Sequence, residues 1–143
     1  MGIARSLANG GQLWCVDPWP EDRGLENPCF SIFRRHVSRS GVEGRVRIVR
    51  ESSGAVTDQL PFELDFAFID GDHSWAGVDT DWQLVSPRIV SGGYVCLHDS
   101  VVPPGEPWRR GLESNRYFDD VIRADNRFHV EETVHSLAVL RRL

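Results

Sequence analysis

Carboxylate and imidazole side chains recur in this sequence directly after short apolar runs. One run ends in the segment Asp70-Gly71-Asp72-His73-Ser74, and a later run ends in His98-Asp99. If the two runs are neighbouring parallel strands about 5 Å apart, Asp70, His98 and Asp99 can converge on one divalent cation. Two carboxylates with water suit Mg²⁺ or Mn²⁺, and an imidazole shifts the preference towards Mn²⁺, Fe²⁺, Co²⁺ or Zn²⁺. The competing interpretation is a hydrogen-bonded polar cluster without a metal.

The segment after the first run also offers a candidate general base. His73 lies one short turn after Asp70, and an imidazole titrates near neutral pH, where a general base works best. Ser74 or Asp72 could cap a following helix, which accounts for one of these polar residues. Capping explains neither Asp70 nor His73.

Two earlier apolar runs are followed by polar residues in the same way. Asp17 follows residues 12–16, and Glu51 and Ser52 follow residues 45–49. Asp17 stands about where an acidic residue accepts hydrogen bonds from a pair of ribose hydroxyls. An ordinary Asp-Pro turn is the structural alternative.

These polar residues need a framework of alternating strands and helices to position them. Apolar runs predict strands at 12–16, 45–49, 64–69 and 94–97, with a turn at 91–93 and a closing strand pair at 127–130 and 137–140. Helical periodicity predicts helices at 2–9, 28–39, 54–60, 74–89 and 108–124. The alternation predicts an α/β fold with a mostly parallel sheet, whose strands end at the edge where ligands bind. The run 64–69 is apolar enough for a strand buried on both faces.

Composition excludes several other chemistries. The chain has 143 residues, enough for a single domain over 1–143, and all 16 of its Lys and Arg residues are Arg. Without Lys, a Walker-A loop, a Schiff-base enzyme or a protein kinase is excluded. A net charge of −5 makes nucleic acid and anionic membranes poor partners, and a small-molecule substrate is expected instead.

Several other residue types have ordinary interpretations. Three scattered cysteines form neither a disulfide framework nor a zinc knuckle, and without a signal sequence or a spanning run the expected compartment is the cytoplasm. Arg109-Arg110 is expected to be a solvated pair. Trp19 and Trp108 are candidates for packing against substrate or adenine.

The central block of the sequence resembles a known enzyme family. Its elements are Phe68 to Trp75, Asp81, Ser91-Gly92-Gly93 and Leu97 to Ser100. They resemble class I S-adenosylmethionine-dependent methyltransferases, and more closely the metal-dependent O-methyltransferases of the macrocin and mycinamicin sugar type. The resemblance implies a Rossmann-like three-layer sandwich. It also implies two cofactors, S-adenosylmethionine and a divalent metal such as Mg²⁺ or Mn²⁺, and methyl transfer to a hydroxyl of a small molecule.

The resemblance assigns roles to individual residues. Asp17 corresponds to the ribose-binding acid, and Glu51-Ser52-Ser53 to the segment near the adenine. Asp70 and Asp99 correspond to metal ligands, with His98 where relatives often have Glu, and His73 corresponds to the catalytic base. The expected cofactor-binding set is therefore Asp17, Glu51, Ser52 and Asp70, and the expected metal set is Asp70, His98 and Asp99.

The sequence departs from the family at its beginning. Family members start with a strand that ends in an acidic, glycine-rich loop around the methionine part of the cofactor, whereas here the first strand and the loop are missing. We therefore expect a domain that is incomplete at the N-terminus. The strands flanking the gap would pair directly, or a second copy would fill it in a homo-oligomer such as a strand-exchanged dimer, or the chain is a fragment or has a misassigned start. The alternative function is a non-catalytic remnant that serves as an interaction or oligomerisation module.

Overall fold

The computed structural model describes residues 2–8 and 10–143, which form two compact units, one up to Leu60 and one over Pro61–Leu143. Each unit has its own sheet. The helices and strands of the first unit are α1 (Gly2–Ser6), β1 (Leu13–Val16), α2 (Pro28–Arg39) and β2 (Val46–Val49). Residue 9 of the first predicted helix lies outside the described residues.

The first unit is a parallel pair of strands with a helix between them along the chain. β1 and β2 are in register from Leu13 opposite Val46 to Val16 opposite Val49. α2 begins where the Asn27 side chain accepts a hydrogen bond from the Cys29 amide, and Pro28 suits the first helical position. The core cluster is built on Ala4, Val37 and Val46. The predicted strands and the helix at 28–39 are confirmed.

The predicted helix at 54–60 is wrong. Only a 3₁₀ turn over Ser53–Ala55 forms there. Gly54 and the β-branched residues Val56 and Thr57 have low helix propensity, and no apolar stripe compensates for it.

The second unit is built on a four-stranded mixed sheet. Its elements are β3 (Leu64–Ile69), α3 (Trp75–Val85), β4 (Ile89–Leu97), α4 (Glu113–Tyr117), β5 (Phe128–Val134) and β6 (Leu137–Arg142). The strand order is β3-β4-β6-β5, with β3 and β4 parallel and the other two pairs antiparallel. The α/β class is confirmed, and the closing strand pair forms as predicted.

The core of the second unit lies between one face of this sheet and the helices. Trp82 of α3 is 1% exposed, and its ring packs on Phe128 at 4.9 Å between centroids. Tyr117 and Phe118 fill the same cluster with Val95 and Leu140 of the sheet. No helix among the described residues is long and apolar enough to cross a membrane.

Two predicted element boundaries in this unit are wrong. The helix expected to reach residue 89 ends at Val85, because the strand β4 begins as early as Ile89. The expected turn at 91–93 lies inside β4 as a bulge, which shifts the register with β3 between Leu64 and Phe66. Gly92 permits it, since its φ of +82° favours glycine.

The predicted helix at 108–124 is also wrong in its regularity. It consists of a 3₁₀ turn at Pro107–Gly111, the short helix α4, and a π-helical turn at Phe118–Ile122. Gly111, a poor helix former, stands where the first break occurs.

Strand β3 is buried on one face only, contrary to the prediction. Ala67 and Ile69 belong to the core cluster, whereas Phe66 and Phe68 are 40% and 49% exposed. Successive side chains of a strand point to opposite faces of the sheet, so alternate residues of this apolar run face the core and the surface. An apolar sequence does not show whether one face or both faces of its strand are covered.

We expect Gly77→Ala to destabilise the protein, although alanine is the better helix former by about 1 kcal/mol. A Cβ at this position would lie 2.7 Å from the Asp72 carbonyl oxygen at the entry to α3. Relieving that clash must move backbone, and we expect a net loss of about 1–2 kcal/mol in the free energy of unfolding. Urea denaturation measures it. Gly111→Ala is the matched control, because a Cβ there meets nothing within 4 Å. Equal stability of the two variants would contradict the expectation.

Candidate functional site

The carboxyl ends of β3 and β4 bring two predicted site residues together. Ile69 and Leu97 are partners in this parallel pair, and Asp70 and His98 follow them directly. The His98 amide donates to the Ile69 carbonyl at 2.9 Å, which continues the ladder one step beyond the strands. The expectation that these strands are neighbours is confirmed.

Three side chains of this edge converge on a small volume. Asp70 Oδ1 lies 3.1 Å from His98 Nδ1 and 3.8 Å from His73 Nε2. One ligand atom from each of Asp70, His73 and His98 can be chosen so that all three lie within 4.8 Å of one another. A single cation could therefore contact all three.

The donor set of this cluster fits a divalent cation. His73 Nε2 and His98 Nδ1 are buried, yet neither has a hydrogen-bond partner among the residues that the structure describes. His98 Nδ1 lies 3.1 Å from Asp70 Oδ1, but the two atoms do not form a hydrogen bond. Buried polar atoms without partners are costly, and a metal ion would satisfy both nitrogens and the carboxylate.

Asp99, the third expected ligand, is held by an arginine. Arg109 Nη1 donates to Asp99 Oδ1 at 2.5 Å, and Arg109 Nε donates to Glu106 Oε2 at 2.5 Å. Glu106 also contacts His135 Nε2 at 3.0 Å. The hydrogen bond from Arg109 lowers the pKa of the Glu106 carboxyl, so this carboxylate stays charged at neutral pH. The expectation that Arg109 is a solvated residue is wrong.

Asp99 nevertheless borders the cluster. Its Oδ2 lies 3.9 Å from His73 Nδ1, and its Oδ1 lies 3.5 Å from His98 Nδ1. The Asp99 side chain is 11% exposed, against 48% for Asp70. His73 thus lies between two carboxylates, those of Asp70 and Asp99.

Backbone contacts fix the turn that carries His98 and Asp99. Asp99 has a φ of +49°, a conformation that is uncommon outside glycine. Its carbonyl accepts a hydrogen bond from the Ser114 hydroxyl at 2.6 Å, and the Ser100 and Val101 amides donate to the Ser136 carbonyl. The turn is therefore held by both α4 and the β5–β6 hairpin.

The start of α3 fixes the turn that carries Asp70 and His73. The Ser74 hydroxyl caps the helix by accepting from the Gly77 amide, and Asp72 accepts from both the amide and the hydroxyl of Ser74. Glu113 accepts from the Trp75 amide at 2.7 Å. The capping role predicted for Ser74 is confirmed, and Asp72 is occupied in supporting it.

The remaining predicted site residues lie in the first unit. Asp17 follows β1, and its amide donates to the Val49 carbonyl of β2, so Asp17 and Glu51 lie at the carboxyl ends of neighbouring strands. Asp17, Glu51 and Ser52 are exposed. Asp17 Oδ1 accepts from the Trp19 amide at 2.8 Å, which is the turn that Asp-Pro sequences form.

The two tryptophans proposed for ligand packing have different environments. Trp19 is 9% exposed, with its ring 5.0 Å from Phe30 and 5.2 Å from Phe33 between centroids, so it is part of the packed interior. The prediction for Trp19 is therefore wrong. Trp108 is 71% exposed, beside Arg109 on the 3₁₀ turn.

Sequence reasoning missed Arg109 and Glu106 as neighbours of the site. Their spacing of three residues, acid before base, is an available signal, since such pairs meet on one face of a helical turn. The longer link from Arg109 to Asp99 had no local signal, because Pro103, Pro104 and Gly105 separate the two residues.

Comparison with solved structures identifies the fold. The chain aligns over 98% of its length with 64% of a protein from Corynebacterium glutamicum, at 22% identity and a TM-score of 0.69. It aligns over 98% of its length with 66% of the O-methyltransferase TomG of Streptomyces achromogenes, solved with S-adenosylmethionine (17% identity, TM-score 0.69). The chain also aligns over 98% of its length with 67% of an O-methyltransferase of Bacillus cereus, solved with S-adenosylhomocysteine (18% identity, TM-score 0.69). The expected Rossmann-like fold class is confirmed.

The chain is shorter than these structural relatives, since it spans 64% of the length of the Corynebacterium protein. A comparison with curated proteins finds no significant match. A sequence profile described as a methyltransferase domain, however, matches residues 1–100 of the 143-residue chain. The matched residues include the strand pair β1–β2 of the first unit and the strand pair β3–β4 of the second. The chain therefore belongs to the methyltransferase-domain family.

Proposed function

We propose that this protein is an S-adenosylmethionine-dependent, divalent-metal-assisted O-methyltransferase that acts on a small hydroxylated molecule, of the macrocin and mycinamicin type. One observation carries the proposal. In a chain of the methyltransferase-domain family, Asp70, His73 and His98 converge at the carboxyl ends of two parallel strands, with two buried nitrogens that lack hydrogen-bond partners in the described structure. A cluster of this composition is suited to hold Mg²⁺ or Mn²⁺.

The proposed cofactor contacts lie in the first unit. The exposed carboxylates of Asp17 and Glu51 follow neighbouring parallel strands, where they can accept hydrogen bonds from hydroxyl groups. Ser52, which follows Glu51, is assigned to the adenine side. The contact between Asp17 and the Trp19 amide fixes the Asp17 side chain and leaves its second oxygen for a ligand.

The metal would be held by Asp70, His98 and Asp99, which leaves His73 free as the base. A bound divalent cation lowers the pKa of a hydroxyl that it contacts. His73 then receives the hydroxyl proton on Nε2, the nitrogen without a partner. Asp70 and Asp99, each within 4 Å of a His73 nitrogen, stabilise the resulting imidazolium. Hydrogen bonds fix the turns that carry these residues, and the residues held in this way would orient the hydroxyl for attack on the methyl group.

Charge and thiol chemistry support the proposed acceptor and the proposed compartment. A net charge of −5 disfavours nucleic acid and anionic membrane surfaces as partners, which leaves a small molecule. Cys15, Cys29 and Cys96 are free thiols, the state that the reducing cytoplasm maintains. We assign the enzyme to that compartment.

We also propose that the protein forms a homo-oligomer, including a dimer in which strands are exchanged. β3 pairs with β4 on one side, and no strand of the described sheets pairs with its other side. Phe66 and Phe68 on this edge strand are 40% and 49% exposed. An open edge with exposed aromatic rings is suited to receive a strand from a second copy. Light scattering that gives a monomer at micromolar concentration would contradict this assignment.

Calorimetric titration with S-adenosylmethionine in the presence of Mn²⁺ tests the enzymatic proposal. We expect saturable binding that Asp17→Ala weakens about tenfold, because a hydroxyl pair loses a charged acceptor. His73→Ala should change this affinity less, since His73 is assigned to proton transfer. Asp22→Ala, which removes another exposed carboxylate of the same unit, is the control.

A folded sample that binds no S-adenosylmethionine would overturn the proposal and favour the non-catalytic alternative. Binding without any dependence on Asp17 would overturn only the assignment of the ribose contact.

A further inference from the structure

Arg109 pairs with the carboxylate that borders the candidate metal site. Its guanidinium contacts Asp99 Oδ1 at 2.5 Å, and this same oxygen lies 3.5 Å from His98 Nδ1. Arg109 belongs to the segment 100–112 between β4 and α4, not to the elements that build the cluster. A positive charge from a separate segment thus neutralises the least exposed carboxylate of the site.

We propose that Arg109 and the divalent cation compete for Asp99, so that Arg109 closes the site in the metal-free protein and withdraws when the metal binds. The inference rests on the proposed function, whose metal site it refines. It assigns the bound ligand set to Asp70, His98 and Asp99, and it leaves His73 free to act as the base.

Charge balance favours this ligand set over Asp70, His73 and His98. Two carboxylates neutralise a divalent cation, whereas one carboxylate with two neutral imidazoles leaves a net positive charge at a half-buried site. Carboxylate oxygens are also the better ligands for Mg²⁺ and Mn²⁺. Arg109 holds Asp99 Oδ1, the oxygen that lies 3.5 Å from His98 Nδ1, so a cation that binds this oxygen would compete with the guanidinium.

Arg109 has a second partner that makes its withdrawal feasible. Its Nε donates to Glu106 Oε2, and Glu106 also contacts His135 on the β5–β6 turn. The Arg109 side chain is 28% exposed, so the guanidinium can turn towards solvent while Glu106 still compensates its charge. The segment 100–112 would then change its contacts with the site as the metal binds.

Manganese binding to the whole protein tests the competition without any enzymatic assay. We expect Arg109→Gln to tighten Mn²⁺ binding about tenfold in calorimetry, because the cation no longer displaces an internal charge. The gain should disappear when Asp99 is first changed to Asn, since the two residues act through one contact. Arg110→Gln is the matched control. Arg110 is exposed, and its side chain forms no hydrogen bond or ion pair with another described residue. The Mn²⁺ affinity of Arg110→Gln should therefore differ from that of the unaltered protein by less than about twofold.

Electron spin-echo spectroscopy of bound Mn²⁺ provides an independent measurement by counting coordinated imidazoles. The proposed ligand set predicts one imidazole, from His98, and the count should stay at one in His73→Gln. Two imidazoles in the unaltered protein, or a tightening by Arg109→Gln that persists in the Asp99→Asn background, would overturn the inference. If the unaltered protein binds no Mn²⁺, the metal-assisted function itself fails. Arg109→Lys keeps a positive charge near Asp99, so its Mn²⁺ affinity should stay within about twofold of that of the unaltered protein. A tenfold tightening in this variant would overturn the inference, because the charge would then not be what competes with the metal.

Discussion

Asp70→Asn should abolish divalent-cation binding, with a loss of affinity of at least about a hundredfold. The Asp70 carboxylate is the common neighbour of the two imidazoles, with Oδ1 3.1 Å from His98 Nδ1 and 3.8 Å from His73 Nε2. Asparagine keeps the shape of the side chain but removes the charge that a hard cation requires. Calorimetric titration with Mn²⁺ measures the effect, and methyl transfer to any acceptor should fall by at least the same factor.

Asp72→Asn is the matched control for this variant. Asp72 belongs to the same turn, but its two oxygens accept hydrogen bonds from Ser74. These bonds lower the pKa of Asp72 and support the start of α3. We expect cation affinity to remain within about twofold, because Asp72 lies outside the ligand set. Similar losses in both variants would indicate general electrostatic attraction instead of coordination by Asp70.

Trp82→Ala should have the largest effect on stability. The side chain is 1% exposed and packs against Phe128 within a cluster that includes Tyr117 and Phe118. Removing a buried indole costs about 3–5 kcal/mol through lost transfer energy and the cavity left behind. That is a large share of the roughly 5–15 kcal/mol by which domains are stable. Circular dichroism during urea denaturation measures the loss.

Trp108→Ala makes the same substitution at a residue that is 71% exposed. We expect a change below about 0.5 kcal/mol, as at other surface positions. Trp82→Phe, which keeps an aromatic ring in the core, should lie between the two alanine variants. A loss below about 1 kcal/mol in Trp82→Ala would mean that the cluster is loosely packed in solution.

The sequence was sufficient to predict the α/β class and the meeting of Asp70 with His98. Both predictions depend on short-range signals, namely apolar runs that end in polar residues and strands that alternate with helices. Parallel pairing then determines where the strand ends lie. The capping role of Ser74 was predictable for the same reason, since a helix start is a local event.

Features that depend on distant neighbours were not predictable in this way. An apolar run such as 64–69 does not reveal which of its faces is covered, and Phe66 and Phe68 prove to be exposed. The bulge in β4 depends on pairing with β3, so residues 91–93 read as a turn. Arg109 reaches Asp99 only because the intervening segment folds back, and Trp19 is buried by rings from α2.

The two units bury different amounts of apolar surface, and this difference affects how readily each unit opens locally. The first unit has a small cluster built on Ala4, Val37 and Val46, with Trp19 packed on Phe30 and Phe33. The cluster of the second unit is larger and contains Trp82, Tyr117, Phe118 and several branched aliphatic residues. Local unfolding costs least where little apolar surface is buried. Asp17 and Glu51 therefore belong to the part of the chain that opens more readily, and the Asp70 cluster to the part that resists opening. A ligand that binds Asp17 and Glu51 would slow hydrogen exchange most in the first unit, where there is most protection to gain.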